Sequence, residues 1–289
     1  MTDLVVVGFA YFEVFVPPHT RPPPGEELFV DGIALGLGGA LNTATVAAAL
    51  GLQVTLCVPM GRGIVDHAVA ALAQRMGITL VPIASPDNPA VSLVFSDAHD
   101  RSFVSSAKLD LLASVEALPQ ATWVHVPGLE EASRLEGPLA RARQDGALIS
   151  VSASWSPQQL SQLSQRADPA WDLLVLNEKE ALAACGNVAS APLQLTRAAQ
   201  SVLVTLGALG VFGKLNATAV RAPAQPVQMV DATGAGDAFC AGLIAGLVRG
   251  MAPAAAAQLG TRAAARILKQ VGGLITDPTA MAALTEGTP

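Results

Sequence analysis

The stretch Asp231-Ala-Thr-Gly-Ala-Gly-Asp237 carries residue types that handle an anion and a proton side by side. Gly234, Ala235 and Gly236 make a small-residue loop, and the apolar run from Ala238 to Leu247 reads as a buried helix. A loop entering a helix in this way presents unsatisfied backbone N–H groups and the positive end of the helix dipole. Phosphate is the usual occupant of such a site. Asp237, at the expected helix start, either stabilises that start as a negative charge or takes a proton beside a bound phosphate. On residue types alone, a plain glycine-rich turn with an acidic helix start serves equally.

Three other segments have the same double character. Gly38-Gly39-Ala40-Leu41-Asn42 precedes a helix expected from about Leu41 to Leu50, with Gly51 just past its end. The two glycines either admit a ligand to the backbone or make a tight turn. Leu176-Asn177-Glu178-Lys179-Glu180 reads as a strand end followed by a capped, acidic first helical turn. Thr205-Leu206-Gly207-Ala208-Leu209-Gly210 is a glycine turn between two apolar segments, as a hairpin alone would require.

In this order and form, the four segments resemble the ribokinase-like (PfkB) carbohydrate kinase family. The motif D-A-T-G-A-G-D-A-F is similar to the family's C-terminal signature, and G-G, a short gap, then Asn is similar to its N-terminal one. The resemblance implies that Gly234, Ala235 and Gly236 hold the transferring phosphoryl group and that Asp237 is the general base. It implies that Gly38, Gly39 and Asn42 bind substrate hydroxyls. Asn177 and Glu180 match an N-x-x-E motif whose acid organises Mg²⁺ and its waters. Thr205, Gly207 and Gly210 match a T-x-G-x-x-G turn beside the nucleotide, and Thr261 and Ala264 fall on a helix that closes the adenine pocket. Some members hold a monovalent cation, usually K⁺, beside the positions matched by Asp231 and Thr233. Gly61, Gly63 and Asp66 are an irregular version of another family turn.

The chain departs from the family on the acceptor side. Many members have an Asp in the first loop that grips two hydroxyls; here the nearest acid is Glu13, between aromatic residues. Glu130 is a second candidate hydroxyl acceptor. Ser152-Ala153-Ser154-Trp155 stands where many members have Asp or Asn before Pro. Phe103 is either a substrate contact or part of a lid core.

These residues need elements to position them. Leu4–Val7, Val54–Val58, Trp123–Val126, Leu148–Val151, Leu173–Leu176 and Val202–Thr205 read as short buried strands. Helices are expected over Val65–Met76, Glu131–Gln144, Pro157–Gln165, Glu178–Ala184 and Ala254–Gln270. Such βα alternation means a parallel sheet covered on both faces, with ligands at the carboxyl ends of its strands. Glu27–Leu37 reads as one or two strands, Ala90–Phe95 and Ser102–Ser105 as a hairpin around the turn 96–101, and Pro17–Gly25 as a proline-rich loop. The expected fold is ribokinase-like three-layer α/β/α, one domain over 1–289, with a small β lid at about 10–37 and 88–107.

With 51% hydrophobic and 14% charged residues, disorder is not expected. A net charge of −6 and no run of Lys and Arg exclude a nucleic-acid surface. Cys57, Cys185 and Cys240 lack metal-ligand spacing and read as free thiols in a reducing compartment. Met-Thr-Asp-Leu lacks a basic leader, and no apolar run reaches the about 18 residues of a membrane helix, so a cytoplasmic protein is expected. The combined expectation is an ATP- and Mg²⁺-dependent kinase of a sugar hydroxyl, with a family-like homodimer through the lid strands. The alternatives are a nucleoside kinase, with the Tyr11-Phe12 loop stacking on a base, and a ligand-binding protein without turnover. A dinucleotide-binding oxidoreductase is disfavoured because Gly8 stands alone after the first strand.

Overall fold

Alternate residues of the first strand fall into different cores. Leu4 and Val6 join one buried cluster, and Val5 and Val7 join another. This is what a central strand with helices on both faces requires. The computed structural model describes residues 2–17, 22–86, 89–96, 101–166 and 169–284.

In chain order the elements are β1 (Thr2–Val7), β2 (Ala10–Val16), β3 (Ala34–Gly39), α1 (Ala40–Ala49), β4 (Val54–Met60), α2 (Ile64–Arg75), β5 (Thr79–Ala84), β6 (Ala90–Ser96) and β7 (Arg101–Ser106). They continue with β8 (Ala121–Val126), α3 (Leu129–Arg134), α4 (Glu136–Gln144), β9 (Leu148–Ser152), α5 (Pro157–Gln162), β10 (Trp171–Asn177) and α6 (Glu178–Cys185). The last are α7 (Ala191–Gln194), β11 (Ala199–Thr205), β12 (Val211–Leu215), β13 (Thr218–Ala222), α8 (Ala235–Val248) and α9 (Pro253–Ile267). The main sheet runs β13-β12-β11-β10-β9-β8-β1-β4-β5, parallel from β11 to β5 and antiparallel at β12 and β13. A second sheet runs β3-β2-β6-β7. One core holds α1, α2, α8 and α9, and the other holds α3 to α7, giving the ribokinase-like α/β/α sandwich.

Three local expectations fail for identifiable reasons. The helix expected over Glu131–Gln144 is two helices, α3 and α4, joined at Leu135. Pro138 has no N–H for the Arg134 carbonyl, so a continuous helix would lose that bond. Of Glu27–Leu37 only the part from Ala34 pairs as a strand. Residues 27–33 lie outside any strand, with Asp31 and Gly32 interrupting the apolar pattern. Edge strands β5 and β13 were not foreseen. Pro82 inside β5 argues against a strand except at a sheet edge, which is where β5 lies. Residues 18–21 of the proline-rich loop and 97–100 of the hairpin turn lie outside the described residues.

Helix α8 is buried at every position from Ala238 to Gly246, which explains its nearly uniform apolar sequence. It packs on α9 through small residues. A side-chain carbon at Gly242 would stand 2.8 Å from Gly260 Cα and 2.9 Å from the Leu259 carbonyl oxygen. Gly242→Val is therefore expected to lower stability by ~1–3 kcal/mol through overpacking. A fall in the urea midpoint with unchanged slope would show it; an unchanged midpoint would refute the close approach.

Candidate active site

The strand order reverses beside β1, which pairs with β4 on one side and β8 on the other. Crevices outside the carboxyl ends of parallel strands at such a point are where ligands bind. Gly8 follows β1 and packs on Pro127, which follows β8. The amino end of α8 comes to this edge.

Gly234 caps α8 in the left-handed region, with φ 75°. A side-chain carbon there would overlap Gly273 Cα, so the turn after α9 and the entry to α8 touch backbone to backbone. Asp231 fastens this contact. One carboxylate oxygen accepts from Thr233 N–H and Oγ1, both at 2.9 Å, and the other accepts from Gly272 N–H at 2.8 Å. Gly236 is exposed, and a side-chain carbon there would meet nothing within 4 Å. Open space therefore lies in front of the helix start, as an anion cradle needs. The Ala235 N–H donates a long 3.3 Å bond to the Ala232 carbonyl.

Asn42 and Asp237 meet across this edge: Asn42 Nδ2 donates to Asp237 Oδ2 at 3.0 Å. Asn42 is only 3% exposed, in the first turn of α1, and Asp237 lies in the first turn of α8. The two glycine motifs, distant in sequence, thus share one carboxylate.

The second sheet stands over the same place. Paired residues share a face, so Tyr11, Glu13 and Phe15 of β2 lie on one face with Gly38, Ser92, Val94 and Phe103. Phe15 reaches the Gly272 turn, with its ring 3.4 Å from where a Gly272 side chain would begin. Glu13 is 5% exposed, and its carboxylate occupies the space that a side chain at Gly38 would fill. Gly39 has φ 67° and caps α1, with the Tyr11 ring against it. Phe103, on the outermost strand β7, is half-exposed. Glu130 accepts from Ser156 Oγ at 2.6 Å. Its neighbour Glu131 is buried instead, with its carboxylate over Gly128. Burial raises the Glu131 pKa most, a hydrogen bond from its own backbone N–H works against this, and the charges of Glu130 and Asp237 raise it again. Burial, then the Glu131 charge, raises the Tyr11 phenol.

The residues matched to the nucleotide side gather at the ends of β10 and β11. Asn177 and Thr205 are register partners, and Thr205 Oγ1 donates to the Leu176 carbonyl at 3.4 Å. Asn177 and Glu180 form a reciprocal cap: Asn177 Oδ1 accepts from Glu180 N–H at 2.9 Å, and Glu180 Oε2 accepts from Asn177 N–H at 2.8 Å. Burial lifts the Glu180 carboxyl to about 7, against the two bonds from Asn177. Its charge and that of Asp237 reach Cys240 on α8, whose thiol is raised mainly by burial. The turn after Thr205 closes with Leu206 N–H to the Gly210 carbonyl at 2.7 Å and leaves Leu209 exposed. Thr261 on α9 is buried and turns its hydroxyl back to the Gln258 carbonyl at 3.0 Å. Ala264, on the same helix, is partly buried.

A family model described as pfkB family carbohydrate kinase matches residues 1–280. The chain belongs to this family. As a PfkB kinase it is 30% identical to a fructokinase of Klebsiella pneumoniae over 210 residues, covering 65% of this chain and 67% of that protein. It is 25% identical to a cytidine kinase of Thermococcus kodakarensis over 298 residues, covering 94% and 98%. Among solved structures it superposes on a ribokinase from Cryptococcus neoformans in complex with ADP, with TM-score 0.79, 22% identity and complete coverage of both chains. The family and its fold make this PfkB kinase a sugar or nucleoside kinase.

Two residues of the site escaped the sequence. Of the adjacent acids Glu130 and Glu131, only the rotation of α3 decides which turns inward. Gly273 reads in sequence as a helix terminator, and its contact with Gly234 is purely tertiary. In this PfkB kinase Asp231→Ala would leave the Thr233 and Gly272 N–H groups without their acceptor. It is expected to reduce stability by about 2–4 kcal/mol, two lost acceptors at ~1–2 each. Chemical denaturation measures this, and a loss under ~0.5 kcal/mol would show that the carboxylate does not hold the loop.

Proposed function

We propose that this PfkB kinase transfers the γ-phosphoryl group of ATP to a hydroxymethyl-type alcohol of a sugar, with residues 1–289 acting as one unit under the segments 10–37 and 88–107. The observation that carries the reading is the Asn42 bond to Asp237 at the open end of α8. One oxygen of the carboxylate is held by the Asn42 amide, which limits how the carboxylate can turn. Asp237 takes the proton from the acceptor hydroxyl as its oxygen attacks the γ-phosphorus in line. The amino end of α8, with Gly234, Ala235 and Gly236, faces the charge on the phosphoryl oxygens. Preorganised donors of this kind are typically worth about 3–4 kcal/mol each in rate. Gly38, Gly39, Asn42, Glu13, Phe103 and Glu130 belong to the acceptor side, and the strands above them exclude competing water. Asn177, Thr205, Gly207, Gly210 and Thr261 belong to the nucleotide side.

Among the described residues no three His, Cys, Asp or Glu side chains form a metal cluster; Mg²⁺ would be held chiefly by the nucleotide's phosphates. Glu180 fits an outer role toward it, because a nearby cation favours the charged form of a carboxyl that burial holds near 7. Mg²⁺ supplies neutralisation of phosphate charge there. A K⁺ ion beside Asp231 and Thr233 would have to share a carboxylate already bonded to Thr233 and Gly272. The three cysteines are free, which fits a cytoplasmic enzyme. A nucleoside acceptor is the second reading. It rests on Tyr11, whose ring lies 6.1 Å from Phe9 and against Gly39, as the aromatic on which a base would stack.

ATP consumption across a panel of sugars and nucleosides tests the reading. A response to sugars supports it, a response to nucleosides alone favours the second, and no response to either refutes the kinase. Asp237→Asn is expected to lower kcat by ~10²–10⁴-fold with the KM for ATP little changed. Near-normal turnover would remove Asp237 from the role of base.

The working form is a dimer through the outer lid face. Leu35, Val14, Leu93 and Val104 lie on one register line across β3, β2, β6 and β7. Leu35 and Val104, at its ends, are 65% and 62% exposed. An apolar row across a small exposed sheet is a surface for association. Sedimentation is expected to show a dimer that Leu35→Glu with Val104→Glu converts to monomer. A monomeric parent protein would dismiss the arrangement.

A further inference from the structure

We propose that Phe15 is a positioning residue that links the seating of the small β-sheet to the anion-binding end of α8, so that acceptor and ATP strengthen each other's binding. The inference rests on the kinase reading above and adds the contact through which one half of the site acts on the other.

Strand β2 touches both halves. Tyr11, Glu13 and Phe15 share one face of it, roughly 7 Å apart per two-residue step. The Tyr11 ring lies against Gly39 and the Glu13 carboxylate over Gly38, both in the acceptor motif. The Phe15 ring crosses β3 at Gly36, 3.2 Å from where a side chain there would begin, and ends at Gly272. Gly272 belongs to the turn that supports α8. Its N–H donates to Asp231 at 2.8 Å, and Gly273 beside it lies against Gly234, the cap of α8. A short chain of contacts therefore leads from the small sheet to the loop that faces phosphate.

That turn has no side chains of its own to seat it, because it is built on Gly272 and Gly273. The main domain braces it from below. Asp231 holds the Gly272 N–H, the Asn42 side chain lies against Gly273, and Thr45 Oγ1 accepts from Ile275 N–H at 3.3 Å. Phe15 adds a brace from the small sheet. A ring that only fills a core is surrounded by side chains, whereas Phe15 is half-buried and lies over two glycines. An acceptor that draws the small sheet down presses the ring onto the turn, and the entry to α8 is set with it. Donors aimed at a phosphoryl group must be held within about 0.5 Å, so a small adjustment here counts. The linkage is reciprocal: a ligand at either half that favours the seated sheet favours the other ligand by the same factor.

The alternative is that Phe15 only fills space, and then its loss weakens the fold without changing how one ligand affects the other. Calorimetric titration with the non-hydrolysable analogue AMP-PNP and Mg²⁺ separates the two. It is run without and with the best acceptor of the panel at saturation, on the parent enzyme, Phe15→Ala and Phe15→Leu. In the parent enzyme the acceptor is expected to tighten AMP-PNP binding about 5- to 20-fold. In Phe15→Ala that factor is expected to fall below about twofold, while AMP-PNP affinity without acceptor changes by less than about threefold. Phe15→Leu keeps part of the contact, is expected to give an intermediate factor, and supplies the test if Phe15→Ala does not fold. A parent enzyme without coupling, or the same factor in the folded variants, overturns the proposal and leaves the kinase reading intact. No turnover by the parent enzyme with any acceptor overturns both.

Discussion

The structure depends on one backbone contact, where the entry to α8 lies against the turn after α9. Gly234 and Gly273 touch with no room for a side chain on either. Loops rarely approach so closely without something to hold them, and here the Asp231 carboxylate does so with three hydrogen bonds. Breaking it would strand backbone N–H groups, which is more expensive than never having made the bonds. The contact fixes where α8 begins, and Gly236 and Asp237 follow within the first turn. Asn42 then ties that turn to α1 from the other side. A carboxylate on a loop would wander; one braced by two helices and a turn does not.

The electrostatic pattern follows from the same edge. Glu13, Glu131, Asp237 and Glu180 are brought from four separate elements towards one rim of the sheet. Burial and mutual repulsion push Glu131 upward, and burial pushes Glu180 upward. Burying acids lowers folding stability, and the two large apolar cores on either side of the sheet offset it.

The small sheet shows how a pleat gives two surfaces from one set of strands. Its inner face carries Glu13, Ser92 and Ser105 in one register line, with Ser92 and Ser105 joined Oγ to Oγ at 2.8 Å. Its outer face carries Leu35, Val14, Leu93 and Val104. Alternation along each strand separates this face, with its buried Glu13 and Ser92, from an apolar exterior. The glycines at Gly36 and Gly38 keep β3 thin, so that Phe15 and Glu13 lie across it.

Residue order was enough to read the βα succession, the six buried central strands and the two glycine motifs that open α1 and α8. Those features are local. Periodicity, caps and helix-stopping glycines are written within a few residues of where they act, as with Gly51, Gly77 and Gly186 past the ends of α1, α2 and α6. The tertiary structure alone decided that Asn42 meets Asp237, that Gly273 admits Gly234 and that Glu131 is buried over Gly128 while Glu130 meets Ser156. It also broke the expected helix at Leu135 and put β5 and β13 at the sheet edges. Each of these depends on the rotation of a helix or the meeting of segments far apart in the chain. Residue order carries no direct record of either, because both are set by how the layers pack once the strands have chosen their neighbours.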